Sequence, residues 1–128
     1  MSFLKNVFGS NEENQSVSKV GWRQLTDLGQ LNEIIAESTV KPVLVFKHST
    51  RCGVSRMVLK QFENEFDLHE KITPYFLDLL EHRDVSNEIA SRFGVFHQSP
   101  QLIVIKDGKA LFNDSHGSID AGKLEQFI

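Results

Sequence analysis

The chain has 128 residues, of which 40% are apolar and 24% are charged, and its net charge is −3. This size and composition indicate one globular domain, and a slightly acidic chain offers no basic field for nucleic acid. No apolar run approaches the roughly 18 residues of a membrane-spanning helix, so we expect no membrane partner.

A single cysteine and a polar N-terminal region suggest where the protein works and where its domain begins. One thiol cannot build a disulfide framework, and Met1–Phe8 lack the continuous apolar segment of a signal peptide. We therefore expect the protein in the reducing cytoplasm. Residues 10–18 are mostly polar, which predicts a flexible extension over residues 1–20 and a folded domain over residues 21–128.

The first half of the domain predicts two strand–helix pairs. A short edge strand, Trp22–Leu25, leads to a helix that is capped by Thr26 and has an apolar face of Leu28, Leu31, Ile34 and Ile35. The continuous apolar run Val43–Phe46 is typical of a strand buried on both faces of a sheet. A helix over Val54–Phe66 follows, with an apolar face of Val54, Met57, Val58, Phe62 and Phe66.

The second half predicts one more strand–helix pair, a hairpin and a last helix. In order, these are a strand Ile72–Leu79, a helix opened by Asp84 or Ser86 and closed by Gly94, a strand Leu102–Ile105, a tight Asp107-Gly108 turn, a returning strand Ala110–Phe112 and a helix capped by Ser118. Parallel strand–helix–strand units followed by a hairpin imply an α/β fold. We expect a central four- or five-stranded mixed sheet flanked by helices.

The lone cysteine, Cys52, follows the polar segment Lys47–Arg51 and precedes a predicted helix. Unpaired N–H groups and the positive end of the helix dipole favour the reactive thiolate there, and Arg51 adds a positive charge. A structural cysteine would more often lie in an apolar stripe. These observations predict that Cys52 is a nucleophile.

Ser55 stands three residues after Cys52, where a dithiol redox site carries its second cysteine. This spacing predicts a thiol that attacks a disulfide but has no internal thiol to release it. Ser55 is able to donate a hydrogen bond to the thiolate, or it only continues the first helical turn. We predict no metal site, because Cys52 and His48 alone do not make one.

Ser99-Pro100 immediately precedes the apolar strand Gln101–Ile105. Proline is tolerated as the first residue of a strand, where its missing N–H costs little. The residues alone allow an ordinary trans bond at a loop end, or a cis bond that faces Cys52.

In this order, the strand, the cysteine loop, Ser99-Pro100 and the hairpin resemble the thioredoxin superfamily, over roughly Trp22 to Ile128. More narrowly, Phe46–Ser55 and His97–Gln101 are similar to the YtxJ-like monothiol bacilliredoxins. The resemblance implies a thioredoxin-like fold in which Cys52 attacks, Ser55 takes the place of a resolving thiol and Pro100 is the cis-proline.

The resemblance also implies an activity. Members of this family are thought to remove bacillithiol, a low-molecular-weight cysteinyl thiol, from S-thiolated client proteins. The small thiol is then a co-substrate, and no tightly bound cofactor is expected. Candidates for attracting the carboxylates of its malate group are Lys47, His48, Arg51, Arg56 and His97.

Departures from the relatives leave two alternatives open. Phe46 stands where thioredoxins carry a buried acid and His48 where an aromatic is common, and both changes argue against a general dithiol reductase. Gly53 stands where redoxins often have proline, which implies a looser loop. The loop Cys52–Ser55 is also one residue away from the CGFS loop of monothiol glutaredoxins that carry iron–sulfur clusters, although their longer loop and double-glycine signature are missing. The remaining alternative is a catalytically silent interaction module.

Overall fold

The computed structural model describes residues 20–68 and 70–128. The predicted N-terminal extension therefore lies outside the described residues, except for Val20. This residue is 1% exposed and packs into the core beside Trp22, so the folded domain includes it.

The centre of the domain is the predicted mixed sheet, which has five strands in the described part of the chain. These are β1 (Arg23–Gln24), β2 (Val43–His48), β3 (Thr73–Asp78), β4 (Gln101–Lys106) and β5 (Lys109–Ser115). They lie in the order β1–β3–β2–β4–β5. β3 pairs in parallel with both β1 and β2, whereas β4 is antiparallel to β2 and β5 is antiparallel to β4. This arrangement confirms the α/β fold class.

Within residues 20–68 and 70–128, three α-helices and two 3₁₀ segments flank the sheet. They are α1 (Gln30–Glu37), α2 (Gly53–Glu65), α3 (Arg83–Phe93), and the 3₁₀ segments His116–Ser118 and Ala121–Phe127. The end of α3 at Gly94, in the left-handed conformation at φ 65°, agrees with its predicted position. The same holds for the Asp107-Gly108 turn, where both residues have positive φ.

Two predicted helix starts are corrected by local hydrogen bonds. α1 begins at Gln30, four residues after Thr26. The Gln30 side chain accepts the Thr26 N–H at 2.7 Å and so holds the loop that precedes the helix. Leu28 lies in that loop and is exposed. At the C-terminus, Asp120 rather than Ser118 caps the last segment, with its carboxylate accepting the Gly122 N–H at 2.9 Å. That segment is a 3₁₀ helix and not the predicted α-helix.

The core lies on both faces of the sheet, because β2 and β4 are buried on both sides. Val43 and Val45 point into the cluster under α1 and α3, whereas Leu44 and Phe46 point into the cluster under α2. The predicted apolar face of α2 differs in its first turns: Val54 and Met57 are 52% and 73% exposed, and the buried residue there is Ser55.

One end of the sheet collects the segments that carry the predicted site. His48, the last residue of β2, pairs with Asp78, the last residue of β3, and Lys47 pairs with Gln101, the first residue of antiparallel β4. The cysteine loop leaves β2 at this end, and Ser99-Pro100 enters β4 at the same end. Within the described residues, no helix is long and apolar enough to cross a bilayer.

Candidate active site

Cys52 occupies the N-cap position of α2 and is partly exposed. Its backbone N–H donates to the Ser49 carbonyl at 3.1 Å, and its carbonyl accepts the Arg56 N–H at 3.1 Å. The side chain makes no capping hydrogen bond with the helix. The backbone therefore fixes the residue, while the sulfur is left available to react.

Ser55 lies inside the turn that leads to Cys52. Its buried hydroxyl oxygen accepts the Ser49 N–H at 3.1 Å and lies 2.8 Å from His48 Nδ1. These contacts fasten the end of β2 to the first turn of α2. The serine is therefore more than a helix-continuing residue, since it links both sides of the cysteine loop.

His48 is buried beside Ser55, with 4% of its surface exposed. Burial lowers the pKa of His48 because it penalises the charged imidazolium; the negative charge of Asp78 opposes this shift and the positive charge of Arg56 adds to it. The ring also packs against Phe76, with ring centroids 5.5 Å apart. His48 is therefore a neutral imidazole at neutral pH.

Lys47 points to the opposite face of the sheet and has no exposed surface. Its ammonium donates to the Ser86 carbonyl at 3.1 Å and lies 3.4 Å from His97 Nδ1. Burial lowers the pKa of Lys47 to about 8, so it is mostly protonated at neutral pH. The Ser86 hydroxyl also lies 3.4 Å from Nδ1 of His97. An ammonium has no lone pair to offer, so Nδ1 of His97 accepts in its contact with Lys47, which puts the proton of the neutral ring on Nε2 and lets the Ser86 hydroxyl donate to Nδ1 as well.

The pKa of His97 is also lowered, first by desolvation and then by the positive charges of Lys47 and Arg83. His97 is an exposed residue of the loop that leads to Ser99-Pro100. It therefore presents a neutral ring whose Nε2–H is a donor.

The positions of Lys47 and His48 correct the sequence analysis, which placed them in a polar loop after a strand ending at Phe46. Both belong to β2 and are buried, because their partners on α2 and α3 satisfy their polar atoms. In this structure neither side chain is open to a bound small thiol. Instead, His48 bonds Ser55 in the first turn of α2, and Lys47 bonds Ser86 and the His97 loop.

Arg51 and Arg56 are the cations that stay exposed next to Cys52. The Arg56 guanidinium donates to the Thr50 carbonyl at 3.0 Å, so it lies along the cysteine loop. Arg51 directly precedes the thiol. These two side chains are open to solvent and able to meet a carboxylate.

The Ser99-Pro100 bond is cis, as the family resemblance implied. Pro100 is buried, and its carbonyl accepts the His116 N–H at 3.0 Å. Among the described residues, the Ser99 hydroxyl is the one buried side-chain polar atom that has no hydrogen-bond partner.

Two residues of this region were not predicted as part of the site. The Gln101 amide donates to the Phe96 carbonyl at 2.9 Å and accepts the Gln98 N–H at 3.4 Å, so it holds the loop before Pro100. Its only sequence signal is a polar residue at the start of an apolar strand. Ser86 accepts the Lys47 ammonium on its backbone carbonyl, which carries no sequence signal, and its hydroxyl lies 3.4 Å from His97 Nδ1. No cluster of three or more His, Cys, Asp or Glu side chains suited to a metal ion occurs in residues 20–68 and 70–128.

Comparison with solved structures defines the class of protein. The chain is similar to a solved protein with a thioredoxin fold, with 33% identity, a TM-score of 0.69, and coverage of 80% of this chain and 89% of that one. It is also similar to thioredoxin from Malassezia sympodialis, at 19% identity and a TM-score of 0.64, covering 82% of this chain and 85% of that one. Thioredoxin from Fasciola hepatica is 21% identical, with a TM-score of 0.62, and the match covers 81% of this chain and 93% of that one. The class is thus a thioredoxin-fold protein with a single thiol at the start of α2.

A family model narrows this class. The model described as monothiol bacilliredoxin BrxC matches residues 23–124. The chain therefore belongs to the monothiol bacilliredoxin family, and its family and fold support thiol oxidoreductase activity.

Proposed function

We propose that this protein removes bacillithiol from mixed disulfides with client proteins by monothiol exchange. The observation that carries the proposal is the combination of one partly exposed thiol, Cys52, at a helix start with Ser55 where a resolving cysteine would stand. Such a site forms a disulfide only with another molecule, which suits the removal of a small thiol.

The exchange proceeds in two steps. The Cys52 thiolate attacks the bacillithiol sulfur of the mixed disulfide; the bond between that sulfur and the client breaks, and the client leaves as a thiolate that takes a proton from water. A second bacillithiol thiolate then attacks the sulfur attached to Cys52, which releases Cys52 and forms bacillithiol disulfide. Overall, the mixed disulfide and one free bacillithiol become the reduced client and one bacillithiol disulfide, and a reductase elsewhere in the cytoplasm recycles that disulfide.

Recognition of the small thiol would come from the exposed polar groups at this end of the sheet. Arg51 and Arg56 offer cationic donors to the malate carboxylates, and His97 offers its Nε2–H from the other loop. Lys47 and His48 contribute indirectly, because their buried hydrogen bonds fix the neighbouring segments: Lys47 bonds Ser86 in α3, and His48 bonds Ser55 in α2. No tightly bound cofactor is needed for either step.

Intact-mass analysis tests the proposal. The protein is incubated with oxidised bacillithiol and, separately, with oxidised glutathione. We expect a 1:1 adduct with bacillithiol that excess thiol reverses, a weaker reaction with glutathione, and no adduct in Cys52→Ser. If the parent forms no adduct but becomes coloured after anaerobic iron–sulfur reconstitution, a cluster carrier replaces this function. If it does neither, the interaction module replaces it.

A further inference from the structure

We propose that the cleft between α3 and residues 94–97 binds a segment of the client protein that carries an apolar side chain and, two residues away, a carboxylate. The proposal deepens the proposed function and rests on it for the identity of the partner as a client. The groups that would make the contact lie outside the cysteine loop.

The cleft has a volume of about 450 Å³ and lies alongside α3. It is lined by Asn87, Ala90 and Ser91 of the helix and by residues 94–97 of the loop that follows it. A concave site of this size is large enough to take side chains of a partner. Because its middle is formed by small and apolar residues, an apolar group is suited to fill it.

Phe96 lies at this cleft with 90% of its surface exposed, although its backbone is held on both sides. The Val95 N–H donates to the Ala90 carbonyl at 3.1 Å, and the Gln101 side-chain amide donates to the Phe96 carbonyl at 2.9 Å. Val95 itself is buried. A large aromatic ring on a fixed loop is a common anchor in protein interfaces, because little order remains to be imposed when a partner binds.

The cleft runs toward the end of the sheet that carries Cys52. The first turn of α3 lies at that end, because the Ser86 carbonyl accepts the Lys47 ammonium at 3.1 Å. Residues 94–99 return from the far end of the helix to the start of β4, and His97 has already reached the first turn, with Nδ1 3.4 Å from the Ser86 hydroxyl. A segment bound in the cleft is therefore directed toward the thiol.

The end of the cleft at His97 is cationic. Arg83 lies four residues before Asn87, on the same stripe of α3 that lines the cleft. Its guanidinium makes no hydrogen bond or ion pair with any residue in the described part of the chain. After desolvation and the charge of Lys47, the charge of Arg83 is the next cause of the lowered pKa of His97, which agrees with a position near that ring.

The acidic residues of α3 have other partners. The Asp84 carboxylate accepts the Val85 N–H at 2.8 Å, and Glu88 pairs with Arg92 at 3.0 Å. An incoming carboxylate would therefore meet the guanidinium of Arg83, with the Nε2–H of His97 as a second donor.

The dimensions of the cleft fix the spacing within the bound segment. Ala90 and Arg83 are separated by roughly 10 Å along the helix axis, part of which the long arginine side chain spans. Alternate residues of an extended segment point to one side about 7 Å apart, so an apolar side chain over Ala90 brings the carboxylate two residues away within reach of Arg83. The malate group of the small thiol is polar and would leave the apolar part of the cleft unfilled, which favours the client as the occupant.

NMR titration of the full-length protein with blocked, cysteine-free peptides tests the proposal. The probe is Gly-Glu-Ser-Phe-Ser-Glu-Gly, which offers a carboxylate on either side of the aromatic residue and so allows both chain directions. One control peptide carries Lys in place of both Glu, and the other carries Ser in place of Phe. The amide spectrum of each protein variant verifies that it is folded.

We expect the probe to shift the signals of residues 87–91 and 94–97, and to bind the parent about fivefold more tightly than the Lys peptide. Arg83→Ala should abolish this preference, whereas Arg92→Ala, which removes the same charge elsewhere on α3, should keep it. Phe96→Ser should weaken binding of the probe about tenfold. Val40→Ser, at an equally exposed apolar residue outside the cleft, should not.

Equal affinities of the Glu and Lys peptides, or no shifts in the cleft at millimolar peptide, would overturn the proposal. Cleft signals that move with protein concentration alone would assign the cleft to a second copy of the chain, and signals that move in Phe8→Ser would assign it to the N-terminal segment; either result would also overturn it. The peptides contain no thiol. A failed bacillithiol adduct therefore removes only the proposed function, and a failed peptide titration removes only this proposal.

Discussion

The ammonium group of Lys47 lies 3.4 Å from Nδ1 of His97, and this contact joins the end of β2 to the loop before Ser99-Pro100. The next residue, His48, joins the same strand end to the start of α2 through Ser55. Successive strand residues point to opposite faces, so two neighbouring side chains of β2 contact two different segments at this end of the sheet.

Replacing Lys47 with methionine should change how stability depends on pH. The folded pKa of Lys47, about 8, lies below its ordinary value of 10.5, so between these values the unfolded chain binds more protons than the folded one. Burial of the charged form costs stability below pH 8, and this cost is relieved as the pH rises toward 10.5. The unfolding free energy of the parent, relative to Lys47→Met, should therefore rise by up to about 3 kcal/mol.

Urea unfolding of both proteins at pH 7.5 and pH 10 measures this difference. The comparison with Lys47→Met removes the effect of the other groups that titrate in the same range. An equal pH dependence of the two proteins would show that Lys47 is not held in a buried, destabilised charged form.

The same substitution should raise the pKa of His97. The positive charge of Lys47 is the second cause of its lowered pKa, after desolvation. Removing that charge favours the imidazolium. NMR titration of the His97 ring in the parent and in Lys47→Met measures the change, with His116 as an internal reference in both. An unchanged His97 titration would contradict the contact between Lys47 and the ring.

Introducing a second thiol should convert the site to a dithiol. In Ser55→Cys, the new cysteine occupies the third residue of α2, within reach of the N-cap thiol for a disulfide. The variant should release bound bacillithiol without a second thiol molecule, as seen by intact mass.

Val54→Cys is the matched control for that experiment. Val54 is exposed and two residues from Cys52, a spacing at which helical side chains do not face each other. We expect it to keep an adduct until thiol is added. If Ser55→Cys retains its adduct as firmly as the parent, the side chains at positions 52 and 55 do not approach closely enough for a disulfide, and the prediction is wrong.

Removing the exposed cation beside the thiol should slow exchange with a carboxylate-bearing thiol. Arg51→Ala loses an attraction of about 1 kcal/mol, which corresponds to a roughly fivefold lower rate constant at limiting substrate. Lys109→Ala, an exposed cation on β5, is the control and should react as the parent does. Stopped-flow measurement of adduct formation compares the three proteins; equal rates would make Arg51 only a surface charge.

The parts of the fold that depend on local patterns were predictable. The thiol between a strand and a helix, the Asp107-Gly108 turn and the helix end at Gly94 follow from hydrophobic periodicity and from turn residues. The start of β2 at Val43 agrees with the prediction, but its end at His48 was not predictable, because Lys47 and His48 have the polarity of solvent-exposed residues. Their burial depends on partners from distant segments; the carbonyl that receives Lys47 lies 39 residues away in sequence.

Helix starts failed for a related reason. Thr26 and Ser118 have side chains that cap helices well, but other side chains make the hydrogen bonds that define these helix starts. The Gln30 side chain accepts the N–H groups of Thr26 and Asp27, and the Asp120 carboxylate accepts that of Gly122. A sequence pattern identifies the residues that are able to cap a helix, but which of them makes the capping hydrogen bond depends on the packing of the folded chain.

The enclosure of Lys47 divides the positive charges of the site into two classes. Dissolved ions screen charges that face solvent, with a Debye length of about 8 Å at physiological ionic strength, and they screen buried charges much less. The attraction that Arg51 exerts on an approaching thiol should therefore fade as salt is added. The contact between the buried Lys47 ammonium and His97 should persist at the same salt concentration.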